Sequence, residues 1–258
     1  MTVKQHWVSV QAVTEPLPGA RLLLLHAPAL SQAMPGQFVM ARCGTGFDPY
    51  LRQAVPIHRL LDQGIGLLVR PENESLRWLA SRRPGDTVDL VGPCGHGFER
   101  ARSTDALAVV AQGTGWLPAA ALLDAVRCPV QLLVSAPTAA QLPPRELVPT
   151  HIEYLAFVGT EDKAGWLDAL GEAVAWSTRL ALAGPTLGAA TPGLYRSVAS
   201  VLRNSPAGLS RGRAEAWLWG EIHCGLGCCN GCLVETRRGW QRICSDGPVF
   251  DLADLLLS

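Results

Sequence analysis

Apolar and polar residues alternate from Trp7 to Val13, the period of a strand with one buried face. Arg21 to His26 is an apolar run, and Gln37 to Arg42 follows a Pro-Gly turn at Pro35-Gly36. Ala54 to Arg59, Gly66 to Arg70 and Thr87 to Val91 extend the pattern. Short strands at this spacing, separated by Gly and Pro, predict a small antiparallel β-barrel over residues 1–100. The pattern changes after Glu99. Ala106 to Val110 is continuously apolar, as in a strand covered on both faces. A Gly-rich turn follows, then a helix-like stretch from Leu117 to Val126. Val130 to Ser135, Ile152 to Val158 and Arg179 to Ala183 read as strands, and Trp166 to Ala175 and Tyr195 to Leu202 as helices. Ala214 to Trp219 would be the last strand. This alternation predicts a parallel α/β domain over 101–219. Residues 220–258 form a cysteine-rich tail.

At 258 residues, with 48% hydrophobic and 17% charged, the chain can bury a substantial core. Lys+Arg and Asp+Glu both number 22, so no basic excess points to nucleic acid. The most apolar stretch, Ala106 to Val126, is broken by Gln112, Gly113, Thr114, Gly115 and Pro118, so no membrane span is expected. The N-terminus lacks a signal-peptide core, which makes the cytoplasm the expected location.

Five of the eight cysteines fall in the last 35 residues, a clustering that favours metal over disulfides. Cys224, Cys229, Cys232 and Cys244 are spaced C-x4-C-x2-C-x11-C. The first three match the plant-ferredoxin spacing for a 2Fe-2S cluster, which needs four thiolates. Gly225, Gly227 and Gly231 let backbone N–H groups approach the sulfurs. Structural zinc is the alternative, although zinc loops more often use two C-x2-C knuckles. Cys228 falls outside the register, and His223 reads as a loop residue. Cys43, Cys94 and Cys128 read as small buried apolar residues.

The tail, Cys224-Gly-Leu-Gly through Gly231-Cys232 and then Cys244-Ser-Asp-Gly-Pro-Val-Phe250, resembles that of the electron-transfer subunits of dihydroorotate dehydrogenases. Gly92-Pro-Cys-Gly-His-Gly-Phe98 and Gly113-Thr-Gly-Trp-Leu-Pro118 are similar to the landmarks closing that family's barrel and opening its nucleotide domain. The resemblance spans the chain. It implies a ferredoxin–NADP reductase-like fold carrying FAD and one 2Fe-2S cluster. It also implies pairing, as a heterotetramer, with an FMN-containing catalytic subunit. In that family electrons from dihydroorotate pass from FMN through the cluster to FAD and then to NAD. The order is chemical: nicotinamide exchanges a hydride, a cluster one electron, and a flavin either.

The chain departs from the family at the flavin. The family's Arg-Pro-x-Ser is Gln53-Ala54-Val55-Pro56 here, and Arg52 is one residue early, which in a strand means the opposite face. The Gly-x-Gly-Thr motif is replaced by about Asn73-Glu74-Ser75, and Cys-Gly-Pro by Ala183-Gly184-Pro185. Val55, Arg70 and Ser75 remain candidate FAD contacts, with helix capping as the alternative for Ser75. Gly113, Thr114 and Gly115 are candidate nucleotide contacts, with a plain tight turn as the alternative. Three functions stay open: an oxidoreductase subunit acting between a flavoprotein partner and NAD, a subunit of a related ferredoxin–NADP(H) oxidoreductase or sulfide dehydrogenase, and a cluster-bearing subunit without flavin or nicotinamide reactivity. No independent acid–base or nucleophilic site is evident.

Overall fold

The computed structural model describes residues 3–44, 46, 48–159, 163–184 and 193–257, with the side chain of residue 163 excepted. The N-terminal half contains β1 (Lys4–Leu17), β2 (Ala20–His26), β3 (Phe38–Ala41), β4 (Gln53–Pro56), β5 (Arg59–Leu61), β6 (Gly64–Val69), helix α1 (Glu74–Ala80) and β7 (Thr87–Cys94). These strands form one antiparallel sheet ordered β4-β3-β7-β1-β2-β6-β5. The sequence predicts one strand over Ala54 to Arg59; the structure has two. The break has a topological cause. Ile57 N–H donates to Gln37 O (3.0 Å) on one side, and His58 N–H donates to Gly66 O (2.9 Å) on the other. At this corner the chain passes between the two edges of the sheet, so the sheet curls into the expected barrel. Its core includes Val8, Val10, Leu23, Leu25, Val39, Val55, Ile65, Leu67, Val88 and Leu90.

The second half contains β8 (Leu107–Gln112), α2 (Trp116–Ala125), β9 (Val130–Ala136), β10 (Glu153–Val158), α3 (Lys163–Trp176), β11 (Arg179–Ala183), α4 (Gly193–Asn204) and β12 (Ala214–Trp217). The tail adds the hairpin β13 (Leu233–Thr236) and β14 (Gly239–Arg242), and then β15 (Val249–Asp251). The sheet runs β10-β9-β8-β11-β12-β15, with β15 antiparallel to β12. Ala108 and Val110 of β8 pack with α3 and α4 on one face, while Leu107, Val109 and Ala111 pack with α2 on the other. Burial on both faces explains the unbroken apolar run. Ala214 to Trp219 was expected as the last strand, but β12 stops at Trp217 and the edge beyond it is taken by the tail. Among the described residues no helix is long and apolar enough to cross a membrane.

The halves meet through charged groups as well as apolar ones. Arg59 pairs with Asp124 at 2.6 Å across the two halves; within the α/β half Arg179 lies 3.0 Å from Glu215, and it also reaches Glu99 at the end of the barrel segment, at 3.2 Å. Burial pushes the Glu215 carboxyl up from 4.5 to about 7, and Arg179 and the Glu99 N–H offset only part of this. Between those two values the native state holds a proton that the unfolded chain has released. Stability therefore falls as pH rises through that window. The melting temperature is expected to drop between about pH 5 and about pH 7.5, and Glu215→Gln should flatten that slope. Equal slopes in the two proteins would locate the proton elsewhere.

Candidate functional site

The cysteine tail folds around sulfur. Gly225 (φ +71°), Gly227 (φ +78°) and Asn230 (φ +55°) take left-handed conformations that reverse the chain tightly. Leu226 N–H points at Cys224 Sγ (3.5 Å), Gly231 N–H at Cys229 Sγ (3.4 Å) and Cys244 N–H at Cys232 Sγ (3.4 Å). The eleven-residue gap is the β13–β14 hairpin. Its return, fixed by Ile243 N–H on Cys232 O (2.9 Å), sets Cys244 beside Cys232. Cys224 shares a side-chain hydrogen bond with Cys229, and Cys232 shares one with Cys244.

Among the described residues no three His, Cys, Asp or Glu side chains gather as around a single metal ion. Cys224 lies beside Cys229, and Cys232 beside Cys244; four thiols in this register could hold an iron–sulfur cluster. Burial, the largest single influence on Cys224, acts upward. Hydrogen bonds from Leu226, Cys229 and Cys228 outweigh it and bring the thiol down to about 5, so the thiolate that a metal would need is favoured. Cys244 is pushed up to about 12 by burial and by Cys232; it would lose its proton to the metal. Cys228 is exposed and its thiol reaches Cys224, which raises its own pKa. His223 stands 3.8 Å from Glu221 and borders Gly231, as a loop residue does.

A cavity of about 490 Å³ opens between the barrel and the α/β half. Thr114 and Gly115 reach it from the end of β8, and Gly184 from the end of β11. Connections from these adjacent strands leave to opposite sides, making this the switch point where open α/β sheets bind ligands. Gly115 cannot be replaced without strain, because a Cβ there would collide with the Ala183 and Gly184 carbonyl oxygens. Val55 and Arg70 reach the cavity from the barrel. Gly113 (φ +55°) shapes the turn, but neither it nor Ser75 is among the lining residues. Ser75 is not the helix cap either. Asn73 caps α1, accepting from Leu76 N–H at 2.8 Å. Arg52, just ahead of β4, turns away from the cavity to Asp89 (2.7 Å). Of Ala183-Gly184-Pro185, Pro185 lies outside the described residues.

Arg70 is the one arginine or lysine among the described lining residues, and its buried Nε has no partner. An unpaired buried guanidinium donor calls for an anion. His58 also lines the cavity. Burial pushes its pKa down to about 4, and Nδ1 hydrogen-bonds to Leu117 O at 2.7 Å. The ring is neutral at physiological pH, leaving Nε2 as an acceptor.

Sequence reasoning missed several wall residues. Gln53 and Asn73, which stand in for the two phosphate motifs, bond to each other at 3.2 Å and offer neutral amides. Trp217 and Trp219 stack at 5.0 Å with planes 6° apart, and both line the cavity. Their two-residue spacing in an extended segment was the available signal, since it places both indoles on one face. The wall thus offers stacked indoles and one guanidinium beside the carboxylates of Glu72 and Glu221, so it can take an aromatic ring whose anionic group lies at Arg70, as a flavin nucleotide could.

Residues 221–256 match the family model described as the iron-sulfur cluster binding domain of dihydroorotate dehydrogenase B. The chain is 28% identical over 93% of its length to the dihydroorotate dehydrogenase B (NAD(+)) electron transfer subunit of Desulforamulus reducens, covering 94% of that protein. It is 29% identical over 86% of its length to the Geobacillus kaustophilus subunit of the same name, covering 87%. Among solved structures, an NADH-dependent reduced ferredoxin-NADP oxidoreductase superposes with a TM-score of 0.77 at 18% identity, over 97% of this chain and 90% of that one. A ferredoxin NADP+ reductase from Neisseria gonorrhoeae with bound FAD and NADP gives 0.60 at 14%, over 85% and 99%. The resemblance carried by the cysteine tail and the Gly-rich landmarks thus extends along most of the chain, and the fold is ferredoxin-reductase-like.

Proposed function

We propose that this chain is the electron-transfer subunit of a dihydroorotate dehydrogenase-like complex of pyrimidine biosynthesis. It passes electrons between an FMN-containing catalytic subunit and NAD through a 2Fe-2S cluster and FAD, as part of a cytoplasmic heterotetramer. One observation carries the reading: the paired-cysteine loop packs on β3, the strand whose partner β4 supplies Gln53, Ala54, Val55 and Pro56 to the cavity wall. A one-electron group and a two-electron group would thus share one support. The bound flavin supplies exchange between hydride and single-electron chemistry.

The chain's residues bind and orient. Cys224, Cys229, Cys232 and Cys244 would hold the irons, and the aimed N–H groups would spread the cluster's negative charge. Arg70 would meet a phosphate, with Val55 beneath the ligand. Thr114 and Gly115 sit where a nicotinamide nucleotide would approach the same cavity, with Gly113 shaping that turn. Ser75, inside α1, is left with a supporting position.

A second reading is favoured by Gln53 and Asn73, which bring no charge where phosphates would lie: a subunit that keeps the cluster and passes single electrons without flavin or nicotinamide. Anaerobic purification with the catalytic partner separates the two. Extractable FAD and iron, with NADH bleaching the visible spectrum, is the expected result. Brown protein without flavin and inert to NADH would establish the second reading instead.

A further inference from the structure

Between the cavity and the cysteine loop lies a row of apolar side chains. Trp219, stacked on Trp217 in the cavity wall, also meets Phe38 with ring centroids 5.4 Å apart and planes at 81°. Phe38 and Met40 lie two apart on β3, so their side chains leave the same face. Met40 in turn lies against the cysteine loop: a Cβ built on Gly225 would stand 2.5 Å from Met40 Cγ, 2.9 Å from its Sδ and 3.6 Å from Cys94 Sγ. Gly225 directly follows Cys224. Phe38 and Met40 are fully buried, and Trp219 and Cys224 pack on the same apolar cluster.

We propose that Trp219 is the face against which the flavin ring lies, and that Trp219, Phe38 and Met40 form the contact line along which electrons pass between that ring and the cluster at Cys224. This rests on the flavin reading above. Electron tunnelling weakens less with distance through packed atoms than across a gap, so a row of packed side chains favours transfer. In the step, one electron leaves the reduced flavin and one ferric iron becomes ferrous. No bond to the three side chains forms or breaks, and NADH, driving the proposed circuit in reverse, supplies the reducing equivalents. An indole beside the ring would also quench flavin emission.

The test uses the anaerobically purified complex at saturating FAD. Trp219 is only partly buried, so Trp219→Leu is expected to fold, and Trp219→Phe retains a ring. In Trp219→Leu the emission of bound flavin should rise several-fold. The rate of cluster bleaching, followed after flavin reduction is complete, should fall about tenfold. Trp219→Phe should recover most of both properties. Failure of the unmodified complex to bind FAD would sink the functional reading and this proposal together. Bound FAD with either emission or bleaching rate unmoved in Trp219→Leu would overturn the proposal alone.

Discussion

Replacing Cys229 with serine is expected to remove the cluster. Iron and sulfide should fall from about two per chain to near zero, and the visible absorbance should bleach. Cys229 receives Gly231 N–H at 3.4 Å and shares a hydrogen bond with Cys224, so its loss unpairs one half of the ligand set. A serine hydroxyl is a far weaker acid than a thiol and a harder ligand, and iron–sulfur clusters favour thiolate. The control is its neighbour. Cys228 also reaches Cys224 but lies outside the C-x4-C-x2-C register, so Cys228→Ser should keep its iron. Elemental analysis and visible spectra of both variants check this. Iron retained in Cys229→Ser, or lost in Cys228→Ser, would reassign the ligand.

The second large effect is expected at Arg70. Replacing it with leucine should weaken FAD binding by about 10- to 150-fold, because one charge-assisted contact to a phosphate contributes about 1.5–3 kcal/mol. No other lysine or arginine lines the described cavity to compensate, and the Gln53–Asn73 amide pair is neutral. The fold should not suffer. Leucine removes a buried Nε that has no partner, and an unsatisfied buried donor is a cost rather than a support. Fluorescence titration with FAD, beside a melting curve, measures both sides. Unchanged affinity would place the phosphates away from Arg70.

Much of this was legible in the chain itself. Period-two alternation and short apolar runs located most strands, and the cysteine spacing isolated the loop, because both are local properties. What escaped depends on contacts between distant segments. Ala54 to Arg59 reads as one strand, yet Ile57 and His58 find partners on opposite edges of the sheet. Asn73 rather than Ser75 caps α1, a difference of two residues that depends on where the backbone leaves the extended state. Arg52 lies off the cavity because Asp89 on β7 receives it; its one-residue offset does not decide this, since Gln53, Ala54, Val55 and Pro56 in succession all line the cavity. The stacked Trp217 and Trp219 look like ordinary core residues until the cavity beside them is known.

The tail does more than carry sulfur. Past the cysteines, His96 N–H reaches Gly247 O at 2.5 Å, Leu218 N–H reaches Pro248 O at 2.7 Å, and β15 covers the edge of β12. The same short segment thus clasps the barrel, the parallel sheet and the metal-bearing loop. A chain denied iron or sulfide would leave more than an empty loop: the clasp would loosen and a sheet edge would open to proteases and to other chains. Its lifetime in the cell should therefore follow the supply of both elements, with uncharged copies cleared before they can join a partner.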